Sequence, residues 1–458
     1  MVQNEEFKTV AASELRIPKE FTEYEDVVEA EVIVRLEQWK QHACGILSTL
    51  REQVRARGPI PLRDQAELVY YTAQFDGDGP WTLGHSREAA QEVLSLFDKP
   101  RVELLECVLR DFVKPIFASN PHPHINVDTG RKLPRTAGGP LGHLDYFEEQ
   151  GWKSHPGLYN VLSWCLRHVD DRAVERLWHL FVPPIMTYLD DYKAPYKLQG
   201  VRLASQLLQR APPELLRRTG MDVLLSATCL NFLHEQETPD LIRASVSAHL
   251  QLINVTTVVG SATRFDQLCS LLGESIIGNI WIYASREPEA LEASVDCIPD
   301  VVGTLGIGSA RYLKALIPQL VFPLLPAPEN GASASYKLSS IRALRSVIQN
   351  CEPRIHKWRG AILEAILKCW VDIADGSVDS AETSALKNEL RAACTTLAQA
   401  CHDSAPQITA ELQSIQSLDY HLFGPLLADL PGCKRIQYHV NGLTSPIERV
   451  NLALPGCA

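Results

Sequence analysis

One short pattern of side chains occurs twice in this chain, and it restricts the fold more than any other feature. Tyr196-Lys197-Leu198 followed by Val201-Arg202 returns as Tyr336-Lys337-Leu338 followed by Ile341-Arg342. Each copy comes after an apolar segment carrying proline: residues 181–185 with Pro183 and Pro184 before the first, residues 316–320 with Pro318 before the second. The arrangement predicts a helix with an early proline, a turn, and a second helix that buries Val201 or Ile341 beside an arginine. Such a pair cannot cover its own apolar face, so neighbours must stack on it. The expected fold is therefore all-α, a HEAT/armadillo-like helical-repeat solenoid of roughly eight to ten helix pairs at about 40–47 residues each. Arg202 and Arg342 are expected to tie repeat to repeat. Asp190 and Asp191, in the first turn, are expected to cap the following helix and to pair with Arg202.

Apolar periodicity extends this reading along the chain. Val102, Leu105, Val108, Leu109, Phe112, Val113 and Ile116 recur at three- and four-residue steps, as do Ile242, Val246, Leu250 and Ile253. Leu291, Val295, Ile298, Val302 and Leu305 read as one helix, and Ile362, Leu363, Ile366, Leu367, Trp370 and Ile373 as another. Residues 254–260 and 276–283 are rich in β-branched side chains, yet a lone strand would have no partner. They are expected to be helix ends and connections. Gly306-Ile307-Gly308 lacks the third glycine of a dinucleotide loop and reads as a turn between helices.

The expected organisation is N-terminal helical repeats over 1–118, a long insertion over 119–157, the main solenoid over 158–430 and an irregular tail over 431–458. The insertion has no helical period, but it carries Arg131, Lys132, Tyr146, Phe147 and Trp152. Aromatics with basic residues are enriched where partner-binding energy concentrates, which makes these five the candidate protein-binding residues. The competing expectation is that the segment folds back over the groove between neighbouring repeats.

The formal net charge of -11, without a dense Lys/Arg run, argues against nucleic acid and anionic membrane as partners. No apolar run approaches the roughly 18 residues of a membrane span, and the first six residues carry acids where a signal peptide is basic and then apolar. Twelve cysteines without a CxxC pair, many inside helical patterns, fit a reducing compartment, cytoplasm or nucleus. No catalytic site, cofactor or metal is expected. His122 and His124 flank Pro123 without the three or four converging ligands that zinc needs. Cys401 beside His402 and Asp403 reads as a helix end carrying a core cysteine rather than a nucleophile and base.

Residues 114–117, 120–123 and 129–133, then Trp152-Lys153 with Pro156-Gly157, residues 160–165, and the run from Leu189 through Lys193 to Gly200 together resemble the central block of fungal members of the Tel-two-interacting protein two family. The likeness is strongest over roughly 100–260. It implies an α-helical repeat protein without catalytic residues, the small subunit of the Triple T complex. Its implied partners are Tel-two and Tel-two-interacting protein one. Further out, the resemblance implies the heat-shock chaperone machinery and the phosphatidylinositol-3-kinase-related kinases that the complex matures. The alternative within the same fold is an importin-like cargo-binding protein.

Overall fold

The computed structural model describes residues 14–56, 60–118, 121–137, 146, 150–235, 238–284, 286–326, 331–375, 380–402 and 407–430. Among these there is no β-strand, only one antiparallel bridge between Ile125 and Lys132. Helices α1 (Ala30–Ala56), α2 (Leu62–Ala73) and α3 (Gly84–Leu94) lead into α4, which starts as Val102–Cys107 and passes through a π-helical stretch, Val108–Val113, into Lys114–Phe117. After the insertion come α5 (Leu158–His168), α6 (Ala173–Leu189), α7 (Ala194–Leu208), α8 (Pro213–Thr219), α9 (Met221–Glu235) and α10 (Pro239–Thr256). Helix α11 starts as Ala262–Cys269 and continues through the π-helical Ser270–Ile280 to Trp281–Tyr283. The remainder are α12 (Pro288–Asp296), α13 (Ile298–Leu305), α14 (Leu313–Val321), α15 (Ala334–Asn350), α16 (Arg359–Asp375), α17 (Ala381–Cys401) and α18 (Gln407–Leu418).

Contacts between these helices define two layers. Pairs α6–α7, α9–α10, α14–α15 and α16–α17 pack as hairpins. Their second helices then lie side by side, α5 on α7, α7 on α10, α10 on α12, α12 and α13 on α15, and α15 on α17. This is the stacked, one-dimensional geometry of a helical-repeat solenoid. Helix α10 shows how the stack is held. Leu241, Ala248 and Leu252 belong to the apolar core on one side, and Ile242, Val246, Leu250 and Ile253 to the core on the other. The first set spaces seven and four residues apart and the second by fours and three, so each occupies its own side of the 3.6-residue helix. Helix α2 is shared in the same manner, Leu68 facing one core and Ala66 and Val69 the next.

The repeated pattern lands on α7 and α15, both members of the second layer. Val201 and Ile341 are fully buried. Gly200 lets α7 cross close to the end of α6, since a Cβ there would lie 2.7 Å from the backbone nitrogen of Leu189. The two arginines reach in different directions. Arg342 pairs at 3.6 Å with Glu389 of α17, the next helix in the layer, which also receives Arg345. Arg202 is exposed and hydrogen-bonds the Tyr159 hydroxyl on α5, the preceding helix.

Several expectations need correction. Asp190 and Asp191 neither cap α7 nor pair with Arg202. The N-cap position is Lys193, without a side-chain cap, and both aspartates are held by the insertion instead. Pro183, Pro184 and Pro318 lie inside α6 and α14 rather than near their starts. In α6 every residue from 180 to 189 is buried, and packing on all sides outweighs the lost backbone donors. Residues 291–305 form two helices, because Pro299 cannot donate to the carbonyl one turn back and the chain breaks at Cys297. Residues 276–283 form the C-terminal end of α11, the helix-end part of what was expected there, and not a connection. Gly306, at a φ of 60°, ends α13 in the turn expected there.

Two consequences can be measured. Val201→Asp places an unpaired charge between α7 and its neighbours and should cost roughly 4 kcal/mol or more, read as a lowered denaturation midpoint. Wild-type stability would show that α7 is rotated from the phase described. Burial on α10 pushes the His249 imidazole down to about 4. The unfolded chain then takes up a proton near pH 6.5 that the folded chain refuses. Stability is therefore full above about pH 6.5 and falls on acidification toward pH 4, by about 3 kcal/mol. His249→Leu should flatten that part of a pH–stability curve.

Candidate partner-binding surface and the insertion that borders it

The insertion begins as a small turn that its own residues dictate. The Asn126 side chain accepts the backbone N–H groups of Asp128 and Thr129 at 3.0 and 3.1 Å. Gly130 takes a φ of 62°, and a Cβ there would meet Trp178 of α6 at 2.9 Å. Its carbonyl accepts the Trp178 indole N–H at 3.1 Å. The strand-like return places Lys132 so that its N–H donates to the Thr219 carbonyl at the end of α8. Arg131 and Lys132 are thereby presented to solvent at the turn, and neither has an ion-pair partner among the described residues.

The aromatic members behave differently. Trp152 is 3 % exposed, wedged among Phe117 of α4, Tyr188 of α6 and Tyr196 of α7, with ring centroids 6.1, 4.6 and 4.9 Å away. Tyr146 is 4 % exposed and stands edge-on to His122 at 5.5 Å. Phe147 lies outside the described residues. Trp152 and Tyr146 are consequently not free to meet a partner. Their apolar rings cover the end of the α6–α7 hairpin, because burial there removes more apolar surface from water than exposure in the segment would.

Two polar pairs strap this cover to the α6–α7 turn. His122 is buried, and its Nδ1 accepts the His124 backbone N–H at 3.1 Å. The proton therefore sits on Nε2, which donates to Asp190 Oδ2 at 2.7 Å. This pair ties the insertion to the α6–α7 turn. Among the described residues no group of three His, Cys, Asp or Glu side chains converges. One residue on, the buried Asp191 meets Lys153 Nζ at 2.5 Å, an ion pair rather than an aligned hydrogen bond, while Asp191 Oδ1 accepts the Lys193 N–H. Lys153 also sits over the rings of Tyr192 and Tyr196, 4.3 and 5.4 Å from their centroids.

Beyond the strap, the N-terminal unit docks on the second layer. Thr22 donates to the Lys153 carbonyl at 2.8 Å, Lys193 pairs with Glu23 at 3.0 Å, and Arg167 of α5 pairs with Asp76 at 2.5 Å. Between them lies an open cleft of about 710 Å³, bordered by Tyr24, Trp81, Tyr159, Tyr196, Lys193 and Arg202. The sequence offered no periodic signal for it, since its walls come from three separate stretches within 21–26, 76–81 and 156–206. Elsewhere most of the described cysteines are buried. Burial pushes Cys229 and Cys297 up to about 12 and Cys369 up to about 11, and also raises Cys401, beside His402. Removing Lys153 leaves the Asp191 charge buried and alone. Lys153→Met should cost about 3 kcal/mol, and adding Asp191→Asn should return part of that loss in a double-mutant cycle read by thermal melting. Additive losses would show that the two side chains do not interact.

Comparison with known proteins adds to this picture. The chain is 27 % identical over 343 residues to a protein named TELO2-interacting protein 2 from Rattus norvegicus, a match covering 73 % of this chain and 62 % of that protein. The human protein of the same name is 26 % identical over 304 residues, covering 64 % of this chain and 55 % of the relative. The chain thus spans about three fifths of the length of these curated relatives. Among solved structures, Kap121p bound to Pho4p is similar at a TM-score of 0.50 and 11 % identity, over 84 % of this chain and 35 % of that one, a likeness of fold alone. The family model described as the Tti2 family matches residues 66–330, from within α2 to the α14–α15 connection, and with more than half of its length so matched the chain belongs to the Tti2 family.

Proposed function

We propose that this chain is a non-catalytic scaffold subunit of a Tel-two type co-chaperone assembly. In this reading it binds Tel-two and Tel-two-interacting protein one type helical-repeat subunits. Through them it supports maturation of phosphatidylinositol-3-kinase-related kinases with heat-shock chaperones, in cytoplasm and nucleus. The observation that carries the proposal is membership of the Tti2 family together with relatives named for interaction with TELO2. The architecture supports it. A one-dimensional stack offers a long surface to another such stack, and obligate interfaces of that kind bury 2,000 Å² or more. Exposed apolar side chains at helix ends supply contact area, with Tyr283 ending α11 and Phe322 just after α14 standing 74 % and 72 % exposed. The importin-like alternative draws on the shared solenoid only, and the likeness to Kap121p adds no cargo chemistry.

Arg131 and Lys132 are exposed members of the candidate set, and they provide the test. Arg131→Ala with Lys132→Ala should leave the melting temperature within the range of an ordinary surface change, about 0.5 kcal/mol. Recovery of a Tel-two type subunit co-expressed with the chain should fall, and so should steady-state levels of the dependent kinases. Full partner recovery would remove these two residues from the interface. Failure of the wild-type chain to co-purify with any Tel-two type subunit would overturn the proposal itself.

A further inference from the structure

Most arginines along the stack are neutralised by a neighbour: Arg176 by Glu106, Arg218 by Glu175, Arg243 by Asp296, and Arg342 and Arg345 by Glu389. One place gathers several cations without such a neighbour. Between the turn that enters α14 and the turn that enters α16 lies a cleft of about 570 Å³ bordered by Arg311, Lys314, Arg354 and Lys357, over a floor that includes Leu313 and Trp358. All four cations are exposed, and no carboxylate lines the cleft. Arg311 stacks over Phe265 at 5.7 Å and over Tyr312 at 5.8 Å, contacts that hold the guanidinium without neutralising it. Lys314, Arg354 and Lys357 form no ion pair among the described residues. Glu352, in the turn that enters α16, and Glu274, on α11, stand outside the lining. In a chain of net charge -11, four unneutralised cations around one hollow are a local reversal of sign.

The floor narrows the choice of ligand. Trp358 and Leu313 offer apolar contact, and the surface continues past Arg311 to Phe265, which packs at Gly308 beside Ile307, itself 56 % exposed. A bare phosphate or a nucleic-acid backbone would use the cations and leave this apolar surface wet. We infer that the cleft is a docking site for an acidic peptide segment of a partner protein, one that sets carboxylates or phosphoryl groups around an apolar anchor. The anions meet Arg311, Lys314, Arg354 and Lys357, and the anchor sits on Leu313 and Trp358. Charge complementarity supplies orientation and on-rate, and the aromatic floor supplies the buried contact that concentrates binding energy. This site is separate from the surface proposed for Tel-two type subunits and does not depend on it.

Fluorescence anisotropy on the full chain tests the assignment. The probe is a short fluorescein-labelled peptide with aspartates flanking one phenylalanine. Companion peptides replace the aspartates with asparagine, replace two of them with phosphoserine, or replace the phenylalanine with serine. The aspartate and phosphoserine peptides should bind saturably, the phosphoserine form more tightly if phosphoryl groups are the natural source of charge. The asparagine and serine forms should bind at least roughly tenfold more weakly, a difference of one decade in Kd. Lys314→Glu with Arg354→Glu should abolish binding while the thermal melt stays in place, since both residues are exposed and unpaired. Should that variant melt early, Lys357→Gln alone should still weaken binding, and raised salt should weaken it in the wild-type chain. The inference is overturned if the asparagine peptide binds as well as the aspartate peptide. It is equally overturned if the charge reversals leave affinity unchanged, or if inorganic phosphate or a single-stranded oligonucleotide displaces the peptide at concentrations below the peptide's own Kd.

Discussion

Everything in this structure depends on one constraint: an interior helix of the stack must be apolar on two sides. Helix α10 meets it with Leu241, Ala248 and Leu252 toward one neighbour and Ile242, Val246, Leu250 and Ile253 toward the other. The same demand places Val201 on α7 and Ile341 on α15 with no exposure at all. Because each repeat is covered by the next, stability is distributed along the chain and is felt by neighbours when one repeat is damaged. The layer of second helices, from α5 to α17, is the continuous element, and arginine–glutamate pairs such as Arg342 with Glu389 bridge it at the surface, where exposed pairs add little energy but fix register.

The insertion matters because it resolves a local failure of that rule. Tyr188 and Tyr196 of the α6–α7 hairpin pack against Trp152 of the insertion, and Trp152 and Tyr146 are themselves buried there. A cover made of irregular backbone needs anchors, and Asp190 with His122 and Asp191 with Lys153 provide them. Burying a charge is tolerable only when its partner is in place, so these pairs set where the segment lies more than they add stability. The interior is then committed to packing. What is left for recognition is surface: the basic turn at Arg131 and Lys132, the cleft beside the N-terminal unit, and the cationic hollow around Trp358.

Much of this was legible in the sequence because solenoid packing writes itself in period. The duplicated pattern located two second-layer helices and their buried aliphatics, and Gly306 marked a turn. Three kinds of information were not periodic. Long-range polar pairing left no local trace, so Asp190 and Asp191 were assigned to Arg202 on the adjoining helix instead of to His122 and Lys153 of the insertion. Composition could not tell an aromatic that covers a core from one that awaits a partner, and Trp152 turned out to be the former. A second apolar stripe on α10 was hidden because one stripe already satisfied the helical period. Pro299, which splits residues 291–305 into two helices, carried a legible signal that the apolar spacing overrode.

Hydrogen–deuterium exchange on the full chain measures the central claim, mutual covering of neighbouring repeats with the insertion as part of the cover. Amides of α7, α10 and α15 should exchange most slowly, and those of residues 152–155 should be protected to nearly the level of the adjoining α6–α7 turn, since exchange there requires the Trp152 cover to open. Exchange of residues 152–155 within seconds, while α6 and α7 remain protected, would contradict the account and leave the insertion as a free loop on a stack that closes without it.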